Sequence, residues 1–139
     1  MFKNILHAND GSENAFRALD AALDLAKQAG TVLHMISVEE LPQFPEIIDE
    51  VKAEKSAADR RYREVVRRAR ALAEQRGVKV QIHLVTGHPV RAIVDLAGEL
   101  GADLLVIGAT GHSTFFERML GTRADRIAEM APCSVLIVR

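Results

Sequence analysis

The sequence predicts an α/β chain built on an open, mainly parallel five-stranded sheet with helices on both faces. Three observations predict it. Apolar runs rich in Val, Ile and Leu recur near residues 3–8, 31–38, 78–85, 103–108 and 134–138. Segments of helical period separate them, which gives the order βαβαβαβαβ. Strands joined through helices need right-handed crossovers, and these set the strands parallel and cover both sides of the sheet.

Each element carries its own signals. The first helix is expected to begin near Ser12, a residue whose hydroxyl can cap free amides, and to carry Phe16, Leu19, Leu23 and Ala26 on one stripe before Gly30 ends it. After the second strand Pro42 and Pro45 interrupt the chain, and a helical stretch follows over about residues 47–75. Its first half is acidic and its second basic. Arg60, Arg61, Arg63, Arg67, Arg68 and Arg70 are broken by Glu64 and interleaved with Tyr62, Val65, Val66 and Ala69. Charge balance favours a solvated helix face there over a polyanion-binding one. A third helix opens near Pro89, a residue suited to a first turn, and shows Val90, Ile93, Val94 and Ala97 before the region 98–101, which holds two glycines.

Composition narrows the functional classes. At 139 residues one domain spanning residues 1–139 is expected. A formal net charge of −1 gives no global reason to bind nucleic acid or an anionic membrane. The apolar runs are too short to span a bilayer, and the start of the chain lacks the apolar segment and cleavage site of a signal peptide, so a cytoplasmic protein is expected. Cys133 is the sole cysteine and is expected to serve as a small buried hydrophobe. His7, His34, His83, His88 and His112 lack zinc-binding spacing.

The chemistry concentrates after the fourth strand. From Gly108 to Thr122 the chain has the spacing Gly-x2-Gly-x9-Gly-Thr, with glycines at 108, 111 and 121. A loop of this kind reads as a phosphate site, because glycines permit positive φ or close approach and main-chain amides at a helix start attract anions. His112 lies within it. Gly-x4-Gly-Lys-Ser/Thr and Gly-x-Gly-x-x-Gly after the first strand are both absent. The alternative is a plain strand-to-helix turn with no ligand.

That spacing resembles the nucleotide loop of the ATP-binding branch of the universal stress protein family. The resemblance extends to the opening residues 5–12, to Val85-Thr86-Gly87-His88-Pro89 with Ile93, to residues 103–108 and to residues 131–138. It implies a Rossmann-like fold with strand order 3-2-1-4-5, which would bring the turns after strands one and four to one crevice where the order reverses. It further implies that Ala8, Asn9 and Asp10 lie by adenine and ribose, with Val38 beside the base and Ile107 and Gly108 continuing that wall. Thr110, Gly111, Gly121, Thr122, Arg123 and Ala124 would surround the phosphates. Asp10 could equally cap the first helix, and Arg123 could equally face solvent. Asn9 and Ala124 depart from residues common in that family, and the missing hydroxyl at 124 would remove one phosphate contact.

The resemblance implies an ATP-binding stress sensor or regulator, with Mg²⁺ arriving on the phosphates and a homodimer formed through the C-terminal strand. The alternatives are a slow ATPase, an autophosphorylating protein with Ser113, Thr114 or Thr122 as acceptor, or a ligand-free interaction module. Only charge stabilisation has a visible candidate among the groups hydrolysis requires, so holding ATP is favoured over turning it over.

Overall fold

Five parallel strands in the order β3-β2-β1-β4-β5 form the frame of the structure, a computed structural model that describes residues 1–40, 48–110 and 119–139. In chain order the elements are β1 (Ile5–Ala8), α1 (Glu13–Ala29), β2 (Leu33–Glu39), α2 (Ile48–Arg76), β3 (Val80–Thr86), α3 (Pro89–Leu100), β4 (Leu104–Gly108), α4 (Thr122–Met130) and β5 (Ser134–Val138). The strands begin one or two residues later than the first four apolar runs. At the first of them Lys3 and Asn4 instead donate their amides to the Asp103 carboxylate at 2.9 and 3.0 Å. These bonds, the one from Lys3 foremost, hold the Asp103 carboxyl below its ordinary range.

Burial explains why the apolar runs are nearly continuous. The central strands β1, β2 and β4 are covered on both faces, so Leu6, Leu33, Met35, Ile36, Leu105 and Val106 are all buried. One face packs Phe16, Leu19 and Leu23 of α1 and Val65, Ala69 and Ala73 of α2 against Leu33, Met35 and Val106. The other packs Ile93 and Ala97 of α3 and Ala124 and Ile127 of α4 against Leu6, Ile36, Leu105 and Ile107. The edge strands are less covered: Leu84 of β3 is 58% exposed and Leu136 of β5 is 37% exposed.

Local chemistry sets the helix ends. The Ser12 hydroxyl accepts from the Ala15 amide at 3.1 Å, and Gly30 closes α1 in the left-handed region at φ 65°. Pro89 opens α3. Most of the arginines of α2 behave as the charge balance predicted, facing solvent or pairing. Arg76 bonds Asp20 and Asp24 of α1 at 2.9 and 2.6 Å, Arg67 pairs with Glu64, and Arg68 bonds Glu13 while lying 3.8 Å over the Phe16 ring. Cys133 differs from expectation. It packs at the margin of the α3–α4 core but is only partly buried, and that burial pushes its thiol pKa up. The residues that follow it form an edge strand, which leaves its neighbourhood open on one side.

Candidate functional site

Two segments far apart in sequence meet at the carboxyl ends of β1 and β4, because the strand order reverses between them. At the first, the chain leaves β1 through Asn9, Asp10 and Gly11. The Asn9 amide extends the ladder by donating to the Ile36 carbonyl at 2.9 Å, and the Asn9 carbonyl accepts from the Ser37 hydroxyl at 2.7 Å. Its side-chain Oδ1 accepts from the Gly11 amide at 2.8 Å. Asn9 is 2% exposed, and its Nδ2 has no hydrogen-bond partner among the described residues. A buried amide donor left in that state is costly unless something else accepts from it.

Asp10 accepts from the Ser12 amide at 3.0 Å, while the helix cap itself is Ser12. The two roles weighed for Asp10 therefore separate: its carboxylate fixes the approach to the helix rather than capping it. Gly11 has to be glycine on two counts. Its φ is 86°, and a Cβ there would stand 2.9 Å from Cγ2 of Val65.

At the second segment the first motif glycine serves close approach, and the group that approaches it is the Asn14 side chain. Gly108 has no positive φ, but a Cβ on it would sit 2.6 Å from Oδ1 of Asn14. Gly121 likewise has an ordinary extended backbone, φ −62° and ψ 153°, and stands as the residue before α4. It offers no side chain to cap that helix. Among the described residues, the first amides of α4, at Thr122, Arg123 and Ala124, thus begin the helix without a side-chain cap.

Between these segments lies a cleft of about 810 Å³. Ala8, Asn9, Asp10, Val38, Ile107, Gly108, Thr110, Gly121, Thr122, Arg123 and Ala124 all line it. Gly111, His112, Ser113 and Thr114 lie outside the described residues. Two of the lining groups are already engaged. The Thr110 amide donates to Asn14 Oδ1 at 2.8 Å, so it is not a free phosphate donor. Arg123, which the sequence left between phosphate and solvent, bonds Glu40 at 2.5 Å across the mouth of the cleft.

The sequence did not single out Glu40, Arg61 or Tyr62 as cleft residues. Tyr62 is buried, donates its hydroxyl to the Val38 carbonyl at 2.6 Å and thereby docks α2 over the end of β2; its pKa is raised by that burial. Arg61 follows it onto the mouth, so this one member of the arginine-rich face does not belong to the solvated side alone. A single Tyr within the apolar stripe of α2 was the available signal. Among the described residues, the charged groups that line the cleft are Asp10, Glu40, Arg61 and Arg123.

The structure also places histidines that spacing could not relate. His7 is fully buried, its Nδ1 lies 2.9 Å from the Val106 carbonyl, and burial pushes its pKa down to about 4. His34 Nδ1 and His83 Nε2 meet at 3.1 Å across β2 and β3, away from the cleft. Burial, and then the neighbouring His83, lowers the pKa of His34. Among the described residues no group of three or more His, Cys, Asp or Glu side chains is set to hold a metal, and no helix is long and apolar enough to cross a membrane.

A model of the universal stress protein family matches residues 1–139. The chain belongs to that family. Among its universal stress protein relatives, YxiE of Bacillus subtilis is 32% identical over 151 residues, with 100% of each chain covered. A universal stress protein solved in complex with cAMP is 29% identical with a TM-score of 0.77, covering 99% of this chain and 97% of that one. The universal stress protein of Archaeoglobus fulgidus in complex with dAMP is 25% identical with a TM-score of 0.70, covering 99% and 98%.

Proposed function

We propose that this universal stress protein binds ATP in the cleft between β1 and β4 and acts as a cytoplasmic stress sensor or regulator whose shape or partner choice depends on the ligand. One observation carries the reading: among the described residues that line the cleft, Asn9 leaves its Nδ2 without a partner, and the helix start at Gly121–Thr122 takes no side-chain cap from Gly121. An adenosine moiety offers ring nitrogens and ribose oxygens to the first, and a phosphate chain offers negative charge to the second. The cAMP and dAMP complexes of relatives support an adenine nucleotide as the ligand class.

In this reading Ala8, Asn9 and Asp10 take the adenine and ribose, Val38 flanks the base, and Ile107 and Gly108 continue the wall. The hydroxyl of Thr110, together with Gly111, Gly121, Thr122, Arg123 and Ala124, takes the phosphates. Asp10 suits a hydroxyl or amino group and would repel a phosphate placed beside it. Mg²⁺ comes with the phosphates. Arg123 joins them by leaving Glu40, an exchange that costs little because both side chains are about half exposed. The β5 edge pairs with a second copy of the chain, since an exposed apolar edge invites strand addition.

Thermal unfolding across a nucleotide panel tests the binding. A ligand present at about a hundred times its Kd adds about 2.7 kcal/mol to native stability. The shift should be larger for Mg-ATP than for AMP, and strongly reduced in Gly121→Val, whose extended backbone tolerates valine but whose added methyls would crowd the phosphate end. Equal shifts for every nucleotide would remove recognition of the phosphate chain. Steady release of ADP over time would move the assignment to an ATPase.

A further inference from the structure

The side chain of Asn14 belongs to none of the surfaces described above. It sits in the second position of α1, is 7% exposed, and does not line the cleft. Its Oδ1 accepts from the Thr110 amide at 2.8 Å and lies 3.4 Å from the Thr110 hydroxyl. Its Nδ2 donates to the carbonyl of Val138, the last residue of β5, at 3.3 Å. The two partners fix the orientation of the amide, because a main-chain N–H only donates and a carbonyl only accepts.

The same carbonyl has a second donor. The Ala109 amide bonds Val138 at 2.8 Å, and the Ala109 carbonyl accepts from the Gly121 amide at 2.7 Å. One hydrogen-bonded chain therefore runs from the end of β5 through 109 to Gly121, the residue before α4, and Asn14 braces it at Val138 and at Thr110. Gly108 makes room for the brace, since any Cβ there would strike Asn14 Oδ1.

We propose that Asn14 is a positioning residue that sets the phosphate end of the cleft and joins it to the C-terminal strand, a role that for its ligand consequences rests on the nucleotide reading above. The chemistry explains the residue type. Leucine has the size but neither bond, aspartate keeps the acceptor and loses the donor, and glutamine is one methylene too long for the space behind Gly108. By linkage, whatever favours one arrangement of the β5 end must favour the same arrangement of the phosphate end, and the reverse.

The test separates the brace from the ligand. Amide hydrogen exchange on the ligand-free protein should show protection at Thr110 falling about tenfold in Asn14→Leu and staying near the wild-type level in Asn14→Asp, with Asn9, bonded to Ile36, as an internal control. Ala109 should lose protection in both variants, because its acceptor, the Val138 carbonyl, is no longer held in place by Asn14 Nδ2 in Asn14→Leu and is repelled by the carboxylate in Asn14→Asp. Titrations then compare Mg-ATP with adenosine. In Asn14→Leu the Kd for Mg-ATP should rise about tenfold while that for adenosine changes less than about threefold. Unchanged exchange at both 109 and 110 would overturn the positioning role whatever the ligand. Altered exchange with equal losses for Mg-ATP and adenosine would overturn the link to the phosphate end. Failure of the wild-type protein to bind either compound would instead overturn the nucleotide reading, with the exchange result still deciding the brace.

Discussion

His7 shows how a single residue writes a pH dependence into the fold. It is wholly buried beneath the β1 turn, and burial outweighs the Val106 carbonyl and Asp10, which both favour its charged form, so its pKa falls from 6.5 to about 4. The unfolded chain takes up this proton near pH 6.5 and the folded chain does not until about pH 4. Between those values the unfolded state binds more protons, so acidification from pH 6.5 to 4 should cost on the order of 3 kcal/mol from this group alone. Denaturant melts of wild type and His7→Gln across that range would measure it. The variant should show a visibly shallower loss, and parallel curves would clear His7 of the effect.

Glu40 and Arg123 make a second prediction at the same scale. Their exposed pair contributes about 0–1 kcal/mol, yet it holds the guanidinium that a phosphate chain would need. Glu40→Gln removes both the competitor and a repelling carboxylate. Titration calorimetry should find Mg-ATP bound about threefold more tightly, with a smaller gain for AMP, while tighter binding of adenosine would point elsewhere. The other cleft residues divide by how they became visible. Asn9 and Gly108 stood in the motif, but their reasons did not: the unpaired Nδ2 of Asn9 and the contact of Gly108 with Asn14 depend on neighbours brought in from β2 and α1.

Elements were legible because their signals are local. Ser12 and Gly30 bracket α1, Pro89 opens α3, and the stripe Phe16, Leu19, Leu23 and Ala26 is buried as its spacing requires. Ser12→Ala should therefore destabilise the protein by about 1 kcal/mol, since it strips the Ala15 amide of its acceptor; an unchanged melting temperature would mean that water replaces the cap. Gly11→Ala is expected to be worse, combining a strained φ with a contact against Val65 that belongs to the α1–α2 packing. The role of α2 was the least legible. Its charge pattern described a solvated face, which most of its arginines occupy, while the docking of Tyr62 on Val38 and the arrival of Arg61 at the cleft mouth depend on where β2 ends.

For the whole molecule, the strand order leaves β5 at an edge with Leu136 partly exposed, and a homodimer through that edge is the assembly we expect. Leu136→Lys should convert the dimer to monomer in light scattering with little loss of fold, because a charge on an edge strand opposes pairing. A wild-type monomer at all concentrations would end that proposal. The order itself came from resemblance, and the parallel alternation came from the apolar runs; neither required coordinates. A chain of β-α units dictates its elements through side chains a few residues apart, so periodicity, caps and turn residues were enough to fix them and to mark the loop after β4. What the tertiary structure alone decided are the meetings across long stretches of chain: Asn14 with Thr110 and Val138, His34 with His83, Arg123 with Glu40. The first and third follow from crossovers that fold distant strand ends onto one rim, the second from the pairing of β2 with β3, and no local pattern records which side chains will face each other.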